Sequence, residues 1–326
     1  MKKVLLALCI VVGIIVIAVT GFLMWSSNLE DPIPTGPSTS IGTTAGAPAA
    51  ALPAMADLLA NWAWGASNGN GDGPATHLVV TGYPAGADFN RLDLAVGAFG
   101  QAKVGYAGEK KGDDSIEPWY FANYKRVTGP YFAFAASTPV LGWDPIFLLD
   151  SSVLGEGLAR LLNQYDVDSY SYPPARAADI AIAEALHPGR RVLESQLLAV
   201  ADDGVRVCMF RYENVDGEGL FSIVCFDGEK ALAIDYTTEY VEDDGAHWRV
   251  DLEPDVVGLL EPVLLCRTQE GILLLVAWSA PEGMAELILR EKGGALEAFS
   301  PADAVYFYDP WGNTFYLEDI NADLED

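Results

Sequence analysis

Beyond residue 53 the chain switches between a helical and a strand-like hydrophobic period. Met55, Leu58, Leu59 and Trp62 fall at i, i+3, i+4 and i+7, the apolar stripe of a helix that Pro53 opens and the Gly/Asn stretch 65–73 ends. Leu158, Leu161, Leu162 and Tyr165 repeat that spacing and predict a second helix, capped by Ser151 or Ser152. A third opens at Pro173-Pro174, runs through Ile180 and Ile182 to Leu186 and stops at His187-Pro188-Gly189. Between the first two helices lie short runs that read as strands: 77–81, 92–98, 103–107, 120–124, 131–135 and 146–149. From Arg191 onward the pattern is almost all β, with the clearest hairpin formed by 205–213 and 220–226 around Asp216-Gly217. Further runs pair 263–268 with 272–278 and, at the end, 304–308 with 314–317. The segment from Asp179 to Tyr236 reads as a helix laid on an antiparallel meander.

Ahead of this body the pattern is different. Val4 to Trp25 carries no charge, and at ~1.5 Å per residue it spans the ~30 Å hydrocarbon core of a bilayer. It is longer than the ~7–15 residues of a cleaved signal's apolar region, and no small-x-small cleavage site follows closely. Lys2 and Lys3 precede it and Glu30 and Asp31 follow, which places the N-terminus in the cytoplasm and the rest outside. Residues 28–53 hold Pro32, Pro34, Pro37, Pro48 and Pro53 among Thr, Ser, Gly and Ala, with no hydrophobic period, and read as an extended stalk. The predicted order is therefore an anchor (1–27), a linker (28–53), a first α+β segment (54–168) and a helix plus antiparallel meander (169–326), the last two able to merge into one domain. The fold class is α+β and β-dominated, with antiparallel sheets, about three amphipathic helices and one N-terminal transmembrane helix before them.

Charge narrows the partners. All 46 acids and only 17 of the 19 Lys and Arg lie beyond the anchor, an excess of 29 negative charges, and no basic residue follows Lys292. Such a surface repels phosphate backbones, so nucleic acid is excluded as a partner, and the acidity suits a soluble body displayed at a cell surface.

Candidate chemistry is sparse. His77, His187 and His247 are the only histidines, none within helical or strand reach of another, and no Cys-x-x-Cys or Gly-x-Ser-x-Gly occurs. Asn68-x-Asn70-x-Asp72-Gly73 copies the first half of a calcium loop, but Val79 stands at the twelfth position where a bidentate Glu is needed. No metal or cofactor is expected. With Asp216-Gly217 as a two-residue turn, Cys208 faces Cys225 at a non-hydrogen-bonded pair, where Cα atoms ~4.5 Å apart permit a disulfide. Tyr306 and Tyr308 share one face of a strand, Trp311 sits at the turn and Tyr316 on the partner strand, an aromatic platform suited to a wall glycan. Tyr308 to Asn313 resembles the closing turn of the vicinal-oxygen-chelate family over about a dozen residues. Tyr316 replaces that family's metal-binding Glu, so the resemblance implies a tight turn and no metal.

The sequence thus predicts a single-pass, membrane-anchored extracytoplasmic surface protein of bacterial type. It contacts the bilayer through residues 4–25 and carries a binding or structural module. The alternative is a wall-glycan hydrolase, which requires a cleft with two carboxylates about 5–10 Å apart.

Overall fold

The computed structural model describes residues 52–68, 75–97, 100–113, 127–138, 146–154, 158–159, 161–165, 171–242, 245–248, 253–280 and 283–299. The expected membrane span, the stalk up to residue 51 and the C-terminal aromatic hairpin lie outside these residues. Among the described residues no helix is long and apolar enough to cross a membrane.

Among the described residues the body is β-dominated, with antiparallel sheets and three short α-helices. Strands β1 (Trp62–Ser67), β2 (Ala75–Gly82), β3 (Leu94–Gly97), β4 (Gly100–Lys110), β5 (Gly129–Thr138) and β6 (Ile146–Leu149) close a barrel in the order β1-β2-β5-β4-β3-β6. A central sheet runs β17-β16-β15-β14-β7, built from β7 (Leu158–Ala159), β14 (Leu259–Thr268), β15 (Gly271–Ala280), β16 (Gly283–Lys292) and β17 (Ala295–Ala298). An outer sheet runs β13-β12-β11-β10-β9-β8, built from β8 (Leu161–Asn163), β9 (Val192–Ala201), β10 (Arg206–Tyr212), β11 (Glu218–Asp227), β12 (Lys230–Val241) and β13 (Gly245–Ala246). Helix α1 (Met55–Ala60) precedes the barrel, α2 (Ser151–Leu154) follows it, and α3 (Ala177–Leu186) lies on the outer sheet.

The period of two along each strand stacks these parts. In the barrel Ala63, Ala95, Ile146 and Leu148 point inward, while Trp62, Trp64, Leu94, Val96, Phe147 and Leu149 point outward onto the central sheet. Strand β15 is apolar at every position from Ile272 to Trp278 because both of its faces are covered. Leu273, Leu275 and Ala277 meet the barrel, and Ile272, Leu274, Val276 and Trp278 meet the outer sheet. Strand β11 repeats this, with Phe221, Ile223 and Cys225 toward the central sheet and Leu220, Val224 and Phe226 toward α3. The result is four layers: barrel, sheet, sheet and helix.

Several expectations meet corrections. Strand β1 occupies residues read as the end of a helix and a loop. Gly65 lies inside it because a Cβ there would sit 2.8 Å from Leu78 Cδ1 and 2.9 Å from the Val79 carbonyl, so only glycine allows β1 and β2 to approach. The predicted second helix shrinks to Ser151–Leu154. Leu158 and Leu161 belong to strands that pair with β14 and β9, in different sheets, and pack against different layers. Edge pairing with two sheets replaces the helical use of the same apolar spacing. The third helix forms over Ala177–Leu186 and ends at His187, and the 120–124 strand lies outside the described residues.

The cysteine pair is also corrected. Asp216 and Gly217 take the positive φ angles of 54° and 80° expected of the turn, and Val215 bridges Glu218. Strand β10 then inserts one extra residue between Val215 and Arg211, which pairs with Phe221. Cys208 therefore faces Val224, and Val207 faces Cys225. A one-residue slip puts the two thiols on opposite faces of the sheet, in different layers, so no bridge forms. Cys208, Cys225 and Cys266 are free and buried, and burial pushes each thiol up to about 12, which makes them unreactive.

Candidate functional site

Two clusters in the described fold bring together residue types that can do chemistry. The first lies where β3, β4 and α2 meet. Asp93 receives the Ser151 backbone N–H at 2.7 Å, the Ser151 hydroxyl at 2.7 Å and the Lys103 ammonium at 2.8 Å. Lys103 Nζ also donates to Ser151 Oγ at 2.9 Å. Beside it, buried Asp150 accepts the Ser152 N–H at 2.9 Å and the Ser152 hydroxyl at 2.5 Å, and Arg91 donates to it at 2.9 Å. The two carboxylates thus hold successive N–H groups of the first turn of α2, where a helix leaves donors unpaired.

Two carboxylates thus lie at the start of α2, one of them buried, but their electrostatics are wrong for glycan hydrolysis. Burial pushes the Asp93 carboxyl up, yet hydrogen bonds from Lys103 and Ser151 outweigh it and hold the group below the usual carboxylate range. Burial also pushes Asp150 up, and the Ser152 and Arg91 contacts again outweigh it. A hydrolytic acid must hold its proton near neutral pH. Both acids here are kept ionised. Ser151 donates to Asp93 and accepts from an ion-paired ammonium, so its oxygen is not activated as a nucleophile.

The second cluster joins the end of α3 to the outer sheet. Ser222 Oγ donates to Asp235 Oδ1 at 2.5 Å, and His187 Nε2 lies 3.3 Å from the same hydroxyl and 3.2 Å from the same carboxylate oxygen. The imidazole sits edge-on against Tyr212 at 4.7 Å, and burial raises that phenol to about 12. A Ser-His-Asp relay needs histidine between serine and aspartate, one ring nitrogen to each. Here Asp235 takes the serine proton directly and both groups meet one nitrogen. Ser222 is fully buried, so no substrate carbonyl reaches it. The cluster fastens His187, the C-cap of the helix, onto β11 and β12. We expect Ser222→Ala to cost about 1 kcal/mol by thermal denaturation, one net hydrogen bond. A fluorophosphonate probe is expected to leave wild-type protein unlabelled, and Ser222-dependent labelling would overturn the structural assignment.

Neither cluster was legible in the sequence, because apart from the Asp150–Ser152 contacts the partners are 10 to 59 residues apart in the chain. A partial signal was present in Ser151-Ser152 after Asp150, recognised as a helix cap. Of the calcium half-loop, only Asn68 is described. Its side-chain oxygen is committed to the backbone N–H groups of Thr76 and His77, each at 2.9 Å. Tyr306, Tyr308, Trp311 and Tyr316 lie outside the described residues. Among those described, no group of three or more His, Cys, Asp or Glu is arranged to hold a metal. Comparison with known protein families, curated proteins and solved structures finds no match for the chain.

Proposed function

We propose that this is a single-pass, membrane-anchored extracytoplasmic surface protein whose folded body is a binding or structural module. The observation that carries the choice over a wall-glycan hydrolase is the state of the carboxylates at the start of α2. Asp93 and Asp150 are both locked as anions by Lys103, Arg91 and the α2 amides. Buried Asp179 is likewise held as an anion, between two arginines. The uncharged run from Val4 to Trp25, the lysines before it and the excess of acids after it support the anchored, outward-facing placement. The aromatic set Tyr306, Tyr308, Trp311 and Tyr316 is the proposed glycan contact.

Protease added to intact cells is expected to remove the body while the anchor stays in the membrane fraction. Full protection of the body until the cells are broken would end the outward-facing reading. Detergent-solubilised full-length protein is expected to co-sediment with insoluble wall glycan without releasing new reducing ends, and Trp311→Ala to weaken that binding. Release of reducing ends that Asp93→Asn abolishes would instead establish the hydrolase.

A further inference from the structure

We propose that Glu286 is a pH-sensitive latch in the seam between the barrel and the central sheet, holding the two together most tightly in acid and loosening them toward neutral pH. Strand β16 places Glu286 on the same face as Ile288, beside Ala277 of β15, in the layer that Trp62 and Trp64 of β1 cover from the barrel. Only 9 % of the residue is exposed, and its Oε2 has no hydrogen-bond partner among the described residues. Across the same layer the indole N–H of Trp64 is buried and also without a partner there. A carboxyl so placed is tolerated when neutral and costly when charged.

The elements packed around this layer leave little to neutralise a charge. Strands β1, β3 and β6 contribute Trp62, Trp64, Leu94, Val96, Phe147 and Leu149, and α1 and α2 contribute Leu58 and Leu154. Strands β14 and β15 add Val263, Leu264, Leu273, Leu275 and Cys266, whose thiol titrates only near 12. The other acid in the row is Glu261 of β14, which lies across Ala277 from Glu286 and carries no positive charge to offset it. The nearest cation on β16's own face is Arg290, four residues away, or roughly 13 Å along a strand, and it is paired with Glu297 at 2.7 Å.

Burial is accordingly the sole cause that raises the Glu286 carboxyl, from 4.5 to about 8. A folded-state value above the unfolded one means that the closed seam holds a proton which an opened, hydrated seam releases. Opening is therefore insensitive to pH below about 4.5, grows roughly tenfold per pH unit up to about 8, and levels off above.

Amide hydrogen exchange on the full-length protein in detergent tests this, after correction for the intrinsic pH dependence of exchange. Between pH 5.5 and 7.5 the opening constant of β1 and β16 amides should rise on the order of 70-fold in the wild type. It should be nearly flat in Glu286→Gln. Glu286→Met, which keeps the volume without the amide, serves as the second variant. The same rise in either variant overturns the latch. So does a wild-type rise shared equally by β10 and β11, which would mark global unfolding.

Discussion

Asp179→Asn is expected to lower the unfolding free energy by about 3 kcal/mol, read from denaturant melts at pH 7. Asp179 is 1 % exposed, on the inner side of α3. Its carboxylate accepts from Arg176 at 2.8 and 2.9 Å and from Arg206 of β10 at 3.1 Å through each oxygen. The amide keeps the shape but removes the charge that both guanidinium groups face. Arg206 is then left nearly buried beside a neutral group, while Arg176 is half in water, which keeps the loss at the low end of the ~3–5 kcal/mol range for broken buried pairs. The pH dependence has a definite sign. Burial pushes the Asp179 carboxyl up, but Arg176 and Arg206 outweigh it and hold the group below its usual 3.8. Its contribution is thus fully present above about pH 4 and is lost as the pH falls through the lowered value. The difference between wild type and variant should therefore shrink in acid. A constant gap from pH 7 to pH 2 would show that the ion pairs are not its source.

Phe221→Ala should be comparably severe, at about 3–5 kcal/mol, because it empties the centre of the layer between the two sheets. The ring stacks on Tyr236 at 4.8 Å and meets the edges of Trp248 at 5.6 Å and Trp278 at 5.4 Å. Trp278 is itself fixed by its indole N–H, which donates to the Val257 carbonyl at 2.5 Å. Four rings from β11, β12, β15 and the segment after β13 thus share one contact, and the void cannot be filled by a small shift of any of them. For a body of this size the expected drop in Tm is roughly 6–20 °C. Phe221→Leu, which retains most of the volume, should cost less than half as much. Equal losses for the two variants would mean that the ring contacts contribute little beyond occupancy.

These two sites differ in how visible they were beforehand. Phe221 could be placed in a strand of the main hairpin from the apolar run 220–226 that follows the Asp216-Gly217 turn. That it also faces a second sheet could not, because its neighbours in β15 and near β13 lie tens of residues away. Asp179 lies in the predicted third helix and Arg206 in the predicted 205–213 strand, with nothing near either in the chain to pair them. Only the docking of α3 across β10 brings them together. Distant contacts likewise account for the strand at Trp62–Ser67. Its glycine signals a break in local terms, whereas in the barrel it is what permits close approach to Leu78 and Val79.

What the sequence determined by itself is the set of properties carried by near neighbours in the chain. These are the apolar run at residues 4–25 with its flanking charges, the helix ending at His187-Pro188-Gly189, the Asp216-Gly217 turn, and the antiparallel β-rich character of the body. Each follows from periodicity, backbone freedom or charge within a few residues. The tertiary structure alone decided which face of each strand was buried against what, and with it the chemistry. One extra residue before the Asp216-Gly217 turn separated Cys208 from Cys225. Lys103, Arg91 and the start of α2 fixed Asp93 and Asp150 as anions, and the layer contact buried Glu286. In each case a register or a layer contact, set by residues far apart in the chain, fixes the environment that governs bonding and charge.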